Sequence, residues 1–384
     1  MTRETTDGGE TRGIEAGETN DDTGTGARTG TDTDTATGSL GDGIGISADR
    51  LGEPRLDDPI QNRSEIVFFY DAVDCNPNGD PRTEENRPRV DPHTEQGIVT
   101  NARLKRVVRD YADRQGEAIL IKKSGDEGRD DKDDRYAALR ELMEPLMDED
   151  GRDMDTREAF LAVASDVRLF GETLTFDSEL EGNITGPAQI NDARTTHRVY
   201  PDSRGRTSVV ATNSEEGDRA QGGNMFTEHK LAYGMFRSHA VINEHNAAET
   251  HLGEADRGLF LDGLWYGTRN ETNTTSKKGH EPRLLVHVEY DRDDYHIGDL
   301  HRALDFKPAG MDDKEMRDVD DGVLLADEFV TLLDEREAAI EAVEIRASRR
   351  LTVSVGDTVQ GGPFDLELAV EDALDEGRVE FSVE

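Results

Sequence analysis

Arginine is the side chain best placed to do chemistry in this sequence, and it is gathered into islands. Arg87 and Arg89 flank Pro88. Arg103, Lys105, Arg106 and Arg109 fall together between Val99 and Asp113. Arg194, His197, Arg198, Arg204 and Arg206 surround Tyr200. Lys277, Lys278 and Arg283, with His280, precede an apolar run. A planar guanidinium takes two phosphate oxygens at once. Arginine with an interleaved aromatic suits single-stranded nucleic acid, through backbone contact and base stacking. The formal net charge of -40 argues the other way for the chain as a whole. Four basic islands in so acidic a chain therefore need an explanation of their own.

The carboxylates offer a second chemistry. Asp74, Asn76, Asn78, Gly79 and Glu85 fit the spacing of a calcium loop. A strand precedes that segment, however, and Arg87-Pro88-Arg89 stands where the second helix of an EF-hand would begin. Asp71, Asp74 and Asp80 are the alternative, as ligands of Mg²⁺ in a metal-dependent nuclease. No acid/base partner for them is evident in the sequence. The preferred role for Pro77-Asn78-Gly79 is a tight turn whose backbone N–H groups approach phosphate. His239, His245 and His251 are six apart, which places them on no common face. With the single Cys75, a structural zinc site is not expected. No cofactor, no metal and no catalytic residue is expected.

These residues must be held by elements. Ile66-Val67-Phe68-Phe69-Tyr70 predicts a strand, followed by a long glycine- and proline-rich loop from Asp71 to Pro81. Leu104, Val107, Val108 and Tyr111 repeat at i, i+3, i+4, i+7, so Val99–Asp113 predicts an amphipathic helix with its bases outward. Further strands are expected at 118–121, 182–190, 235–242, 284–290, 350–355 and 379–383. Helices are expected at 136–147, 156–164, 254–266 and 322–346. Residues 193–224 lack apolar periodicity and predict a long projecting loop, a length that is usually functional or disordered. Strands and helices interleave, which implies an α/β or α+β sandwich with insertions.

Residues 1–62 are a different polymer. They hold 12 Thr, 12 Gly and 14 acidic residues with no aromatic, too little apolar surface to offset ordering entropy, and are expected to form a disordered tail. The 9 lysines against 36 arginines, with so many carboxylates, fit a halophilic archaeal cytosol. One cysteine suits that reducing compartment, and no segment has the length and apolarity of a membrane span or signal peptide. A cytoplasmic protein is expected.

Taken in order, these motifs resemble the Cas-seven family, the backbone subunit of the type I CRISPR Cascade, in its type I-B form. The resemblance runs through Ile66–Pro81, Arg87–Asp91 and Val99–Arg106. It continues at Val167–Gly171, Gly182–Gln189, Tyr233–Phe236 and Ser276–Leu285. It covers about residues 63–384 and implies an α+β fold: an RRM-like (ferredoxin-like) palm of antiparallel sheet and helices. Helical fingers are inserted at about 124–165, and a long thumb loop at about 193–224. It implies copies stacked along a CRISPR RNA, with Gly186 and Gln189 joining the basic residues, Asn78 and Gly79 as RNA contacts. Implied partners are CRISPR RNA, target DNA through the guide, other copies of the chain, and other Cascade subunits, including the crRNA-processing endonuclease and the cap subunit. Such a subunit is not the nuclease of its complex. Related type III subunits cut RNA with a thumb aspartate, which draws attention to Asp192 and Asp202.

Overall fold

In a computed structural model of the chain, residues 52–82, 86–122, 132–147, 154–175, 180–207, 225–272 and 277–384 are described. The apolar run at 66–70 lies inside strand β1 (Ser64–Cys75), at the centre of a nine-stranded sheet. β1 is antiparallel to β8 (Met225–Ile242) on one side and to β9 (His280–Tyr290) on the other. β9 continues to β12 (Ile340–Ala347), and β12 to the parallel β15 (Val379–Val383). The far side of β8 takes three partners in succession: β5 (Ala188–Ile190), β6 (Ala193–Arg198) and β7 (Pro201–Thr207). β2 (Gln96–Val99) closes the edge against β6.

Both faces of this sheet are covered, which is why β1 reads as continuous apolar sequence rather than an alternation. Ile66, Phe68 and Tyr70 pack under helices α1 (Asn101–Gln115) and α6 (Glu254–Arg269). The two helices approach closely through Gly263, where an added Cβ would lie 2.9 Å from Val108 Cγ1. Val67 and Phe69 face a small second sheet. Its order is β10 (Asp305–Pro308), β11 (Gly322–Leu325), β13 (Val353–Val355) and β14 (Thr358–Gly361). Helices α7 (Asp327–Arg336) and α8 (Pro363–Ala373) complete that lobe. A third core joins α2 (Lys132–Met143), α3 (Thr156–Val163) and the hairpin of β3 (Gly171–Leu174) and β4 (Gly182–Thr185). Two short helices, α4 (Ser165–Phe170) and α5 (Glu244–Thr250), connect the layers. The architecture is mixed α+β with one large sheet and several helices.

Several expectations change. β1 extends to Cys75, so Asp71 and Asp74 lie in a strand and not in the loop. Residues 118–121 form no strand; Asp166 Oδ1 and Oδ2 accept the Leu120 and Ile121 amides instead. Segment 322–346 is strand, helix and strand. The described part of 193–224 is not a loop: β6 and β7 pair with β8, while residues 208–224 lie outside the described residues. Residues 52–62 do not belong with the expected tail: Ile60 is buried and its amide donates to Leu252 O, and Arg55 reaches Glu117 and Asp256. Residues 1–51 lie outside the described residues, as do 124–131 and 148–153 of the expected fingers. Among the described residues no helix is long and apolar enough to cross a membrane.

Candidate nucleic-acid interface

The loop after β1 folds back on itself. Asp80 N–H donates to Arg87 O, and Arg89 N–H donates to Asn78 O. This brings the Asn78-Gly79 turn against Arg87-Pro88-Arg89. The approach is close: a Cβ on Gly79 would fall 2.0 Å from Asn86 Oδ1. Asn78 Oδ1 then accepts the Thr100 backbone N–H at 2.9 Å and the Thr100 hydroxyl at 3.0 Å. Asp192, between β5 and β6, accepts the Asn101 N–H at 2.8 Å. The first turn of α1 is thus tied to both flanking loops. Asp192 acts there as a helix cap, so the thumb-aspartate reading finds no support in its contacts.

Two clefts adjoin at Asp192. One, of about 600 Å³, lies over the β2–β6–β8 region and is walled by Arg194, Arg237 and Arg302, with His239 and His301 at its base. The other, of about 590 Å³, lies under the β1–β2 loop. Arg82, Arg87 and Arg89 wall it, with Pro88, Val90, Ile98 and Pro201 supplying apolar surface. Together they are lined by six arginines against four aspartates: Asp80, Asp91, Asp192 and Asp202. The whole chain has 45 basic residues against 85 acidic ones, so the balance is inverted here. Arg194 is half exposed and 3.0 Å from Asp91. Arg302 is largely exposed, with Asp299 one turn back at 3.3 Å. Arg89 keeps a buried Nε without a partner.

The histidines form a stacked pair, ring centroids 4.7 Å apart. His239 Nε2 lies 2.8 Å from Oε1 of the fully buried Glu65, whose Oε2 accepts the Tyr290 hydroxyl at 2.6 Å. Burial, helped by His239 and Arg237, pushes His301 down to about 4. The pair presents a neutral His301 to the cleft at neutral pH.

Other expected contacts lie elsewhere. On α1, Arg109 pairs at 2.8 Å with buried Asp166, and Arg103 pairs with Glu271. Arg106 meets Asp110 one turn on, and Lys105 sits 5.0 Å from the Phe170 ring centre. The basic face of α1 is largely an internal ion-pair face. Lys277 donates to Asn76 O and Pro77 O at 2.7 and 3.0 Å, beneath the loop; burial, then Arg103, pushes its ammonium down to about 8. Lys278 is exposed. Arg283 is buried 2.9 Å from Asp71. His197 is buried against Tyr233, with Nδ1 on Arg198 O and Nε2 accepting the Met235 N–H. Arg198 pairs with Asp312 and Asp313, and Arg204 with Asp202 and Asp74. Arg206 lies in β7, with its side chain outside the description. Gly186 abuts the Phe170–Gly171 backbone, where a Cβ would fall 2.1 Å from the Phe170 carbonyl carbon, and exposed Gln189 donates to Gly186 O at 2.7 Å. Tyr200 stands outside both clefts.

The three carboxylates of the nuclease alternative do not converge. Asp71 pairs with Arg283, Asp74 with Arg204 and Asp80 with Arg82; Glu85 lies outside the described residues. Among the described residues one triad has metal-ligand proximity, Glu244, His245 and Asp294. Arg63 already serves it as cation, 2.7 Å from Glu244 and 3.5 Å from Asp294.

The sequence profile of the CRISPR-associated protein Cas7 family matches residues 62–326. CRISPR-associated protein Cas7 of Haloferax volcanii is 36% identical over 324 residues, covering 79% of this chain and 92% of that one. The chain belongs to the Cas7 family. A chain of a CRISPR RNA-guided surveillance complex in a pre-nicking state aligns over 81% of this chain and 100% of its own, at 16% identity and a TM-score of 0.47. A second surveillance-complex chain covers 74% of this chain and 88% of its own, at 17% identity and a TM-score of 0.41. The Cas7 match begins at the residue where β1 is about to start and includes both clefts. Arg82, Arg237 and Arg302 line the clefts but belong to none of the basic islands, Arg237 and Arg302 because each stands apart from other arginines in the chain.

Proposed function

We infer that this Cas7-family chain is the guide-RNA-binding backbone subunit of a type I CRISPR Cascade in antiviral defence. One observation carries the reading: six arginines line two adjoining clefts in a chain of net charge -40. In this reading the nine-stranded sheet is an RRM-like palm, the α2–α3 region its fingers and the β6–β8 hairpin its thumb. RNA lies along the double cleft, held by phosphate and ribose and indifferent to sequence, so its bases remain free to pair with target DNA. Asn78, Arg87, Arg89 and Arg194 keep the RNA-contact role expected from sequence, and Arg237 and Arg302 join them. Copies follow one another along the guide, in contact with other Cascade subunits such as the processing endonuclease and the cap subunit. The role is positional, not catalytic, and belongs to the cytoplasm.

Purification of the full chain in molar KCl, followed by extraction of bound nucleic acid, tests this. Small RNAs of uniform length are expected. The triple variant Arg87→Gln, Arg194→Gln, Arg302→Gln should stay folded and lose most of that RNA. Full RNA occupancy in the triple variant would overturn the assignment.

A further inference from the structure

Lys277 belongs to a basic island, yet it lines neither arginine cleft. The segment from Lys277 to His280 is instead a floor for the β1–β2 loop. Gly279 O accepts the Val73 N–H at 2.9 Å. A Cβ on Gly279, at φ +120°, would fall 2.4 Å from Val73 O, so the two backbones are in direct contact. Lys277 Nζ donates to Asn76 O at 2.7 Å and to Pro77 O at 3.0 Å. Two successive carbonyls thus converge on one half-buried ammonium, to which no carboxylate among the described residues is hydrogen-bonded. A compact cation with three donors suits that geometry better than a planar guanidinium does.

The loop needs such a holder. It leaves the sheet through Asp74 and returns through Asn86, each at φ 48°. Left-handed backbone is costly outside glycine and persists where its surroundings fix it. Asn76 Nδ2 ties the two ends together by donating to Asn86 O at 2.7 Å. The carbonyls on Lys277 immediately precede the turn that builds the second cleft. Asn78 Oδ1 accepts the Thr100 N–H, Asp80 N–H donates to Arg87 O, and Arg89 N–H donates to Asn78 O. Arg87 and Arg89 therefore inherit their place in the cleft wall from Asn76 and Pro77.

We propose that Lys277 is a positioning residue for RNA: its ammonium fixes the Asn76 and Pro77 carbonyls and thereby sets Arg87 and Arg89 at contact distance from phosphate, without touching RNA itself. This replaces the direct RNA contact expected of Lys277 from sequence. It rests on the guide-RNA reading above. Charge-assisted hydrogen bonds to both carbonyls are short-range contacts, so the strut holds in strong salt, where distant attraction fades.

A double-mutant cycle in the full chain tests it, read by filter-binding titration of a short single-stranded RNA at one fixed salt concentration. Lys277→Met should weaken binding roughly ten-fold, the size of one lost charge-assisted hydrogen bond. In an Arg87→Gln, Arg89→Gln background the same change should add almost nothing, because the side chains it positions are gone. In an Arg194→Gln, Arg302→Gln background it should keep its full effect. Unchanged binding by Lys277→Met, or a full effect in the Arg87→Gln, Arg89→Gln background, would overturn the proposal; the second result is what a direct phosphate contact or a general loss of structure gives. Amide hydrogen exchange without RNA supplies a second measurement. In Lys277→Met the Asp80 and Arg89 amides should exchange faster while those of β9 and β12 stay protected. Unchanged protection at Asp80 and Arg89 would overturn the strut whatever the RNA does. Faster exchange there, with RNA binding indifferent to Arg87→Gln and Arg89→Gln, would overturn the cleft reading and the RNA half of the proposal with it. Wild type gives a check that needs no variant. Burial, then Arg103, holds the Lys277 ammonium at about 8, with Glu271 and the Cys75 thiol as the other titratable groups facing it. RNA affinity and protection of the two amides should fall together as pH rises through 8, and no change across that range would contradict the proposal.

Discussion

Buried charge is where single side chains decide this fold. Arg168 is almost wholly buried, and its Nε and Nη2 each lie 2.9 Å from an oxygen of fully buried Asp256. Its Nη1 donates to Leu161 O and Ala162 O. This one residue ties α3 to α6 and so the helical insertion to the sheet. Arg168→Met leaves Asp256 in a dry site with only Arg55 near, and should cost about 3–5 kcal/mol in denaturant unfolding. The paired change Arg168→Met with Asp256→Leu should recover part of it. His287 gives the matching pH prediction. Burial, followed by Arg257 and Arg346, pushes its imidazole down to about 3, against about 6.5 in an unfolded chain. Between those values the unfolded state takes up the proton and the folded state does not. Stability is therefore full above pH 6.5 and falls as pH drops toward 3, by up to about 1.4 kcal/mol per pH unit. His287→Leu should flatten the acid side of the stability profile; an unchanged profile would show that the ring is protonated in the folded state. None of this was legible in sequence, where Arg168 and His287 are single residues whose partners lie 88 positions and a sheet away.

Elements set which arginines remain available. The amphipathic spacing of α1 locates its core face correctly, because Leu104, Val107 and Val108 are buried where the period places them. The bases on its other side could not be resolved from spacing alone, since Asp166 and Glu271 reach them from distant elements. Arg106→Ala should thus change RNA retention little and stability by about 0.3–0.5 kcal/mol, the worth of an i,i+4 pair. Arg194→Gln and Arg302→Gln should each weaken RNA binding measurably in filter-binding titrations. A reversal of that order would return the interface to α1. The β1 strand was legible because both its faces are covered and its central run, Ile66 to Tyr70, is apolar throughout. β7 was not: Pro201-Asp202-Ser203-Arg204-Gly205-Arg206-Thr207 has no apolar alternation and is held to β8 by the backbone ladder and by Ser203 Oγ, 2.8 Å from His229 Nδ1. Segment 322–346 misled for a related reason. Leu324-Leu325 and Val343 carry the same residue types as the helix between them, and only tertiary pairing makes them strands.

At the scale of the whole molecule, a charge of -40 and an RNA partner must coexist in strong salt. At 1 M salt the Debye length is about 3 Å, so long-range attraction contributes little. Retention then depends on arginine forks in contact with phosphate and on enclosure between copies. RNA held in an assembled row should survive molar KCl, while a single copy should bind weakly there. Release along a steep log–log salt slope would mean that counterion release carries the binding. The composition announced this conflict from the start, and in the proposed function the arginine-lined double cleft is where it is resolved. The most direct test is ultraviolet cross-linking of the natively purified chain to its bound RNA, with mass-spectrometric mapping of the adducts. They should concentrate in peptides spanning residues 86–101, 191–203 and 300–303, with guide sequences of every composition represented. Adducts confined to the outer face of Asn101–Gln115, or their absence from the clefts, would contradict the account.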